Sequence, residues 1–450
     1  MCRLQANQRT ARHQNPGHPI AKELITLSAP VERAILVGAP LKRSNARHLV
    51  NEHLRELERL ADTAGAVVVG ELTQNIDRPN PSTYVGKGKL DELKLLAEEK
   101  DATVLIFDDE LSPAQGKNLE LELGRRVIDR AELILDIFAV RARSAEAKMQ
   151  VELAQLEYSL PRLTNMWTHL EKFRGGIGVR GPGETQLETD RRLVGLRIKL
   201  LKDRLLDVQR SREVQRQSRK NVFRASLVGY TNAGKSSILK AMSGAGDIFV
   251  EDRLFATLDP LTRDVNVGEG QKVLLTDTVG FIRKLPHHLV ASFRATLEEV
   301  GEADLLLHVI DASHPTWEEQ RLVVDEVLAD LKLHETPVVH VFNKTDALSA
   351  EDLAALTARM ENLLPGSLFV SATAKGGVEP LRAMLLQTVR NQRPLVKLRL
   401  PASSGKLIAE IHREGEVVSS AHDEVTGDVV LSARVDPALL GRLEREGVVV

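Results

Sequence analysis

Residues 229–236 read GYTNAGKS, an instance of the pattern G-x-x-x-x-G-K-S. The run SLVG that leads into it is an apolar strand end, and the run SILKAMSG after it has helical character and ends at Gly244. In this context the glycines let backbone N–H groups converge on phosphate oxygens, and the helix N-terminus adds its dipole. The stretch therefore predicts a phosphate-binding loop between a strand and a helix, rather than a surface turn.

The side chains of this loop have distinct expected roles. Lys235 would reach the β- and γ-phosphates of a nucleotide, and the Ser236 hydroxyl would be a ligand of Mg²⁺. The whole loop is expected to bind the nucleotide: Gly229, Tyr230, Thr231, Asn232, Ala233, Gly234, Lys235, Ser236 and Ser237.

A second motif, LLTDTVG, ends at Gly280 and follows Lys235 at a distance that suits an intervening helix, switch and hairpin. An apolar strand that delivers Asp277 fits the carboxylate on the magnesium side of phosphate-loop enzymes, where it acts through water. The Gly280 N–H would sense the γ-phosphate. Thr278 and Val279 complete this expected contact with the nucleotide.

A third motif, VVHVFNKTD, ends at Asp346 and predicts recognition of guanine. One carboxylate can accept from both guanine N1–H and its amino group, whereas adenine would leave that carboxylate unpaired. Asn343, Lys344 and Thr345 would brace this loop. A fourth run, VSATAKGG, would support the base through Ser371, Ala372 and Thr373.

The first switch must lie between Ser236 and Asp277 and supply a threonine to the magnesium ion. DRLFATLDPLTRDVNV offers two candidates, Thr257 and Thr262. Together these motifs predict a Ras-like GTPase domain, with GTP as substrate and Mg²⁺ as cofactor.

Composition excludes several other classes of protein. The chain has 450 residues, with 61 Lys and Arg against 63 Asp and Glu, so partners are not recruited by bulk charge. The single cysteine, Cys2, excludes an internal disulfide and a CxxC zinc site. No apolar run is long enough for a membrane-spanning helix. We expect a cytoplasmic protein, with peripheral membrane association left open, that acts as a monomer.

The order of strand-like and helical patterns along the chain predicts an α/β multidomain architecture. Strand-like runs AILVGAP, AVVVGEL and ATVLIFD alternate with helical patterns before residue 130, and three short alternating runs, LRLPA, KLIAEIH and GDVVLSARV, lie near the end. The expected divisions are a flexible extension (1–32), a small N-terminal α/β domain (33–130), a long helical hairpin with a glycine-rich loop (131–222), the Ras-like G domain with its phosphate loop (223–392) and a small C-terminal α+β domain (393–450).

The hairpin carries a local basic arm. Ala145 to Leu170 and Glu184 to Lys220 have helical periodicity, and residues 191–220 hold eleven Lys or Arg against three acids. Such clusters contact nucleic-acid backbones, although a solvated helix face is the plain alternative. The candidate RNA contacts are Arg174 and Arg180 in the glycine-rich loop, which could equally be a plain connector, and Arg191 and Arg192 in the second arm.

Several stretches resemble the HflX family, within the Obg–HflX group of translation-factor-like GTPases. They are LFATLDP, DTVGFIRKLPHHLVASFRATLEE, RGGIGVRGPGETQLETDRR, YVGKGKLDEL and VIDRAELILDIFAVRA. The resemblance points to Thr257 as the switch-one threonine, so Lys235, Thr257 and Gly280 form the expected catalytic set. It also implies binding to the large ribosomal subunit and its rRNA, and splitting of stalled or idle ribosomes under stress.

One position departs from many Ras-like proteins, in which a glutamine after D-x-x-G orients the attacking water. Phe281 stands there, and a phenyl ring cannot orient water. The missing group could come from the docked partner or from K⁺ at Asn232, which otherwise makes only a turn hydrogen bond.

Two other functions stay open at this point. One is an assembly or anti-association factor that holds the large subunit without splitting ribosomes. The other is an ATP-dependent rRNA-remodelling enzyme that uses the turn Gly86-Lys87-Gly88-Lys89, for which a structural turn is the simpler interpretation.

Overall fold

The computed structural model describes residues 31–42, 49–163, 182–216, 222–244, 253–285, 300–331, 333, 336–392, 394–401, 403–423, 426–435 and 437–449. The expected N-terminal extension therefore lies outside the described residues, except for its last two. Within these ranges, no helix combines the length and apolar character that a membrane crossing requires.

The N-terminal sheet has four parallel strands in the order β2-β1-β3-β4. They are β1 (Arg33–Gly38), β2 (Val67–Thr73), β3 (Val104–Phe107) and β4 (Arg126–Asp129). Sequence analysis did not predict β4, because its four residues, RVID, are too few to show a period and a charge stands at each end. The other three strands lie where their apolar runs predict them.

Four helices cover the two faces of this sheet: α1 (Val50–Ala64), α2 (Lys87–Glu99), α3 (Pro113–Leu123) and α4 (Arg130–Arg141). Successive residues of β1 enter opposite cores, with Leu36 packed towards α1 and α4 and Val37 towards α2 and α3. Because both faces are buried, the strands are continuous apolar runs.

The helical hairpin pairs α5 (Ala145–Ser159) with the 35-residue α6 (Pro182–Arg216). The expected first arm is interrupted, because α5 ends at Ser159 and the chain turns at 160–162, where the ring nitrogen of Pro161 cannot continue the hydrogen-bond ladder. Residues 164–181, which hold the end of the expected first arm and most of the glycine-rich loop, lie outside the described residues.

The G-domain sheet has six strands in the order β10-β9-β8-β5-β7-β6, all parallel except the edge strand β6. Its strands are β5 (Arg224–Gly229), β6 (Leu261–Gly268), β7 (Gln271–Asp277), β8 (Leu305–Asp311), β9 (Val338–Asn343) and β10 (Leu368–Phe369). Its helices are α7 (Lys235–Ser243), α8 (Trp317–Asp330), α9 (Ala350–Leu363) and α10 (Glu379–Gln392). The carboxyl ends of the parallel strands share one edge, where ligands bind in such folds.

The C-terminal domain is α+β, as expected. Its antiparallel sheet has the order β11-β13-β12, with β11 (Leu395–Leu400), β12 (Glu416–His422), β13 (Val429–Arg434) and the helices α11 (Gly405–Glu414) and α12 (Pro437–Arg445). The run KLIAEIH is helical, because Leu407, Ile408 and Ile411 together form one apolar face towards the sheet.

One hydrophobic core continues from the N-terminal domain into the G domain. Leu57 of α1 and Phe138 of α4 belong to the same buried cluster as Phe255, Phe281 and Val324 of the G domain. The two domains are therefore packed together rather than joined only by chain.

Candidate nucleotide-binding site

The phosphate-binding loop joins β5 to α7 and bends at Gly234. This residue has φ 93°, which disfavours any side chain, and a Cβ atom here would lie 2.2 Å from Asn343 Nδ2. Asn343 Nδ2 donates to the Ala233 carbonyl at 2.9 Å, and Asn343 Oδ1 accepts from Ala372 N at 3.2 Å. Asn343 thus links the phosphate loop to the loop expected to support the base.

Lys235 is buried at the start of α7. Its Nζ donates to the carbonyls of Gly229, at 3.1 Å, and Tyr230, at 2.9 Å. Burial lowers the pKa of Lys235 to about 8, although Asp277 opposes the shift. The ammonium group is therefore held at the loop by backbone oxygens and one carboxylate.

Three oxygen-bearing side chains expected at the magnesium ion meet at one point. Ser236 Oγ donates to Asp277 Oδ2 at 2.6 Å, Thr257 Oγ1 donates to the same oxygen at 3.0 Å, and the two hydroxyls are 2.9 Å apart. Asp277 Oδ1 is buried and has no hydrogen-bond partner among the described residues. Burial raises the pKa of Asp277. This hard oxygen set, with an unpaired carboxylate oxygen, fits Mg²⁺.

The structure separates the two candidates for the switch-one threonine. Thr262 lies on β6, where its Oγ1 is 2.9 Å from Thr276 Oγ1 at an exposed position. Only Thr257 of the two is beside Ser236, which favours Thr257.

The second switch, which we expect around residues 277–281, lies against the phosphate loop. Thr231 N donates to Phe281 O at 2.7 Å, and Phe281 N donates to Gly229 O at 3.0 Å. A Cβ atom on Gly280 would lie 2.8 Å from Thr231 Cα, so this close approach requires glycine. The Phe281 ring is 2% exposed and belongs to the shared core, so it does not face the nucleotide position.

The loop expected to recognise the base is ordered around the Asp346 carboxylate. The hydroxyls of Ser371 and Thr373 lie at 2.5 and 3.1 Å from its oxygens and donate to them. The bond from Ser371, foremost, lowers the pKa of Asp346. Lys344 Nζ forms an ion pair with Asp311 Oδ2 at 2.8 Å. The carboxylate is thus kept ionised, as an acceptor for guanine requires.

Ten of the expected residues line one cavity of about 270 Å³. Its lining includes Thr231, Asn232, Gly234, Lys235, Ser236, Ser237, Thr257, Thr278, Gly280 and Lys344. Val279 is instead buried in the shared core, and Thr345 Oγ1 donates to the Val370 carbonyl.

The candidate RNA contacts lie elsewhere in the chain. Arg191 and Arg192 are exposed on α6, and Arg174 and Arg180 fall outside the described residues. Two other cations of the basic arm are engaged within the hairpin, because Arg197 pairs with Glu152 at 2.6 Å and Lys202 with Glu157 at 2.7 Å.

Sequence analysis missed a buried ionic cluster that joins the second switch to the N-terminal domain. Asp108, just after β3, forms ion pairs with Arg130 at 2.9 Å, Arg283 at 2.8 Å and Lys284 at 2.8 Å. Burial alone would raise the pKa of Asp108, but the three cations hold it well below its ordinary value. Arg283 and Lys284 follow Phe281 by two and three residues, so this cluster fixes the chain that leaves the switch.

Tyr230 of the phosphate loop belongs to the same cluster. Its hydroxyl donates to Glu56 Oε2 at 2.5 Å and accepts from Arg283 N at 2.9 Å, and Glu56 also pairs with Arg130. Tyr230 therefore contacts the N-terminal domain instead of the nucleotide cavity. The run VIDRAELI contains Arg130, but only the fold brings it to Glu56.

The first switch is tied to the hairpin in a similar way. Asp259 Oδ2 accepts from Arg143 N and Ser144 N, both at 3.1 Å, at the N-terminus of α5. The Phe255 ring meets Phe138 edge to face, with centroids 4.7 Å apart. Both nucleotide-facing segments thus contact other domains.

The lowered pKa of Lys235 predicts a pH dependence of nucleotide binding. Phosphate binds the ammonium form, so the free protein must take up a proton to bind GTP once the pH exceeds about 8. We expect the affinity for GTP to be constant below that pH and to fall by up to about tenfold per pH unit above it.

Titration of the protein with a fluorescent GTP analogue between about pH 7 and about pH 9 would measure this. In K235R the guanidinium stays charged, so its weaker binding should lack this dependence. A flat wild-type profile, or an identical slope in K235R, contradicts the assignment.

The ionic cluster predicts a large loss of stability in D108A, because the buried Arg130 and Arg283 would lose one of their two carboxylates and share Glu56 alone. The expected loss in the free energy of unfolding, measured by urea denaturation, is about 3–5 kcal/mol. The matched control is D77A, which removes an exposed carboxylate that pairs with Lys42 at 2.8 Å and should change stability little. Equal effects of the two substitutions would contradict a structural role for the cluster.

Comparison with known proteins covers nearly all of the described chain. Three family profiles match in succession: GTP-binding GTPase N-terminal over residues 51–139, GTP-binding GTPase Middle Region over 141–219, and 50S ribosome-binding GTPase over 224–344. A crystal structure of SsGBP in complex with GDP matches 80% of this chain and 98% of that chain, with 27% identity and a TM-score of 0.46.

Curated relatives match over similar lengths. GTPase HflX of Magnetococcus marinus is 44% identical, over 95% of this chain and 98% of the relative. GTPase HflX of Caldanaerobacter subterraneus is 45% identical over 88% and 90%, and that of Escherichia coli is 44% identical over 85% and 90%. With the four nucleotide motifs gathered at one sheet edge, this similarity identifies the chain as a GTP-hydrolysing member of the HflX family of GTPases.

Proposed function

We propose that this GTPase binds the large ribosomal subunit and its rRNA, and splits or recycles stalled and idle ribosomes under stress. GTP binding would be the switch, and hydrolysis would release the protein. The profile described as 50S ribosome-binding GTPase supports the partner. The observation that carries the mechanism is that both nucleotide-facing segments are bonded to other domains.

The G domain would read the nucleotide through its own side chains. Lys235 would neutralise the phosphates, and Asp346 would accept from the guanine. Ser236 and Thr257 would hold Mg²⁺, with Asp277 acting through water; the ion would offset charge on the β- and γ-phosphates.

The two switches would transmit the nucleotide state. A γ-phosphate that engages Thr257 would move the segment that carries Phe255 and Asp259, whose partners are on α4 and at the start of α5. The same phosphate at Gly280 would pull on Arg283 and hence on Asp108. The N-terminal domain and the hairpin would therefore change position when GTP replaces GDP.

The hairpin would supply the contact with rRNA. Arg191 and Arg192 are exposed on α6, and cations in such positions bind phosphate backbones. Arg174 and Arg180 would extend this contact from the glycine-rich loop. The protein would bind the subunit as a monomer.

Hydrolysis would need help from outside the second switch, because the buried Phe281 ring cannot orient water. The docked subunit could supply this help by ordering the switch. Asn232 lines the nucleotide cavity with a left-handed backbone, φ 63°, and would be the ligand of a K⁺ ion that adds positive charge near the phosphates.

Sedimentation of intact ribosomes tests the proposal. Ribosomes would be incubated with the protein and GDP, GTP or a non-hydrolysable GTP analogue, with K235A as the control that lacks phosphate binding. We expect separation into subunits with GTP and the analogue, but not with GDP or K235A.

A different pattern would favour the assembly or anti-association function. In that case the protein would sediment with free large subunits in the GTP state while intact ribosomes stay whole. Absence of ribosomal binding in every nucleotide state would contradict both functions.

The variant D346N tests whether Asp346 makes the protein select GTP over ATP. The amide cannot accept from both guanine donors, so GTP affinity should fall by at least about tenfold in equilibrium binding, because hydrogen bonds to a charged acceptor are lost. E351Q, at an exposed position on the neighbouring helix, is the matched control and should bind as wild type does. ATP-dependent unwinding of rRNA that survives both D346N and K235A would favour the remodelling function instead.

A further inference from the structure

Two histidines lie side by side in the G-domain sheet. His308 on β8 is in register with His340 on β9, and their ring centroids are 5.4 Å apart. Registered residues of neighbouring strands project from the same face. Asp325, on α8, approaches from the helix layer, with its Oδ1 3.4 Å from His308 Nδ1. Two strands and one helix thus bring three potential metal ligands together.

The separations are close to those of a shared metal ion. One ligand atom from each of His308, Asp325 and His340 lies within 4.8 Å of the other two. Ligands about 2 Å from one tetrahedral ion are about 3.3 Å apart. The gap between His308 and Asp325 already matches, and a small movement of the half-buried His340 would bring its nitrogen to the same distance.

The buried Nδ1 atom of His308 independently favours a bound cation. Its side chain is 1% exposed, and its Nδ1 has no hydrogen-bond partner among the described residues, because the approach of Asp325 lacks hydrogen-bond geometry. A buried polar atom without a partner is costly. A bound cation would provide this nitrogen with a partner.

The two imidazole rings are in the neutral form that metal binding requires. Burial lowers the pKa of His308, and burial together with the neighbouring His308 lowers the pKa of His340 to about 4. Both rings are therefore neutral near pH 7, as metal binding requires. Arg321 Nη1 donates to Asp325 Oδ2 at 2.6 Å. This hydrogen bond leaves Oδ1 of Asp325 directed towards the histidines. Hydrogen bonds to the ligands of a metal ion commonly orient them in this way.

We propose that His308, Asp325 and His340 bind a divalent first-row transition-metal ion, of which Zn²⁺ is the representative. Two imidazoles and one carboxylate form a known zinc ligand set, and water would complete the coordination from the half-exposed side of Asp325 and His340. The site is distinct from the oxygen cluster at Ser236, Thr257 and Asp277, whose hard donors suit Mg²⁺.

The position of the ion would matter to the base-recognition loops. Three residues beyond His308, β8 ends at Asp311, and three residues beyond His340, β9 ends at Asn343. An ion at the site would join both strands to α8 directly behind the loops that hold Lys344 and the phosphate-loop contact of Asn343.

Titration of the full-length protein with Co²⁺ tests the site. Metal would first be removed with a chelator, and Mg²⁺ and GDP would then be present in excess so that oxygen-ligand positions are filled. We expect one equivalent of Co²⁺ with the visible absorption of four-coordinate cobalt, displacement by Zn²⁺, and a higher thermal midpoint with Zn²⁺.

H340Q and D325N each remove one ligand at a half-exposed position, and each should weaken Co²⁺ binding by at least about tenfold. H412Q, which removes an exposed histidine of α11, is the matched control and should bind as wild type does. Circular dichroism and GDP binding check that each variant is folded, and the two ligand variants are independent of each other.

Two outcomes would overturn the proposal. One is the absence of saturable Co²⁺ uptake by the wild-type protein. The other is uptake that is unchanged in a folded H340Q or D325N, which would mean that histidines elsewhere in the chain bind the ion.

Discussion

The buried carboxylate of Asp108 is the contact on which the arrangement of the domains depends. It lies at the end of an N-terminal strand, yet two of its three cations, Arg283 and Lys284, come from the chain that leaves the second switch. An unpaired charge in this position would be far more costly than a lost surface pair. The domains therefore cannot separate, nor the switch rotate, without new partners for these charges. Through Glu56, the same cluster includes the phosphate loop.

The meeting of the residues expected at the nucleotide could be predicted from sequence, because each motif is local. Glycine spacing, an adjacent lysine and a strand end suffice to indicate a phosphate loop, and the fold brings Thr257 and Asp277 to Ser236 as that logic requires. Sequence reasoning failed where the partners are distant. Asp108 and Arg283 are separated by 175 residues, and nothing in either segment alone indicates the other.

Helix bounds and charge counts show a second limit of sequence reasoning. Periodicity alone extended the first arm of the hairpin through Pro161, although the backbone chemistry of proline interrupts it. The basic arm has a large excess of cations in the sequence, but Arg197 and Lys202 are paired with acids of the facing helix. A count along the chain therefore overestimates the charge that is presented to solvent, because neutralisation occurs between helices rather than within one.

The burial of Phe281 gives the second switch an energetic threshold. Its ring lies in the core that the G domain shares with the N-terminal domain, and its backbone forms a bridge with the phosphate loop. Exposing a side chain of this size to water costs about 1.5–3 kcal/mol. Any rearrangement that exposes this side chain must recover that cost from new contacts. Thermal fluctuation alone would populate the rearranged state only about 0.6–7% of the time. The rate at which the second switch rearranges therefore depends on the contacts that a bound partner supplies, and not on the nucleotide alone.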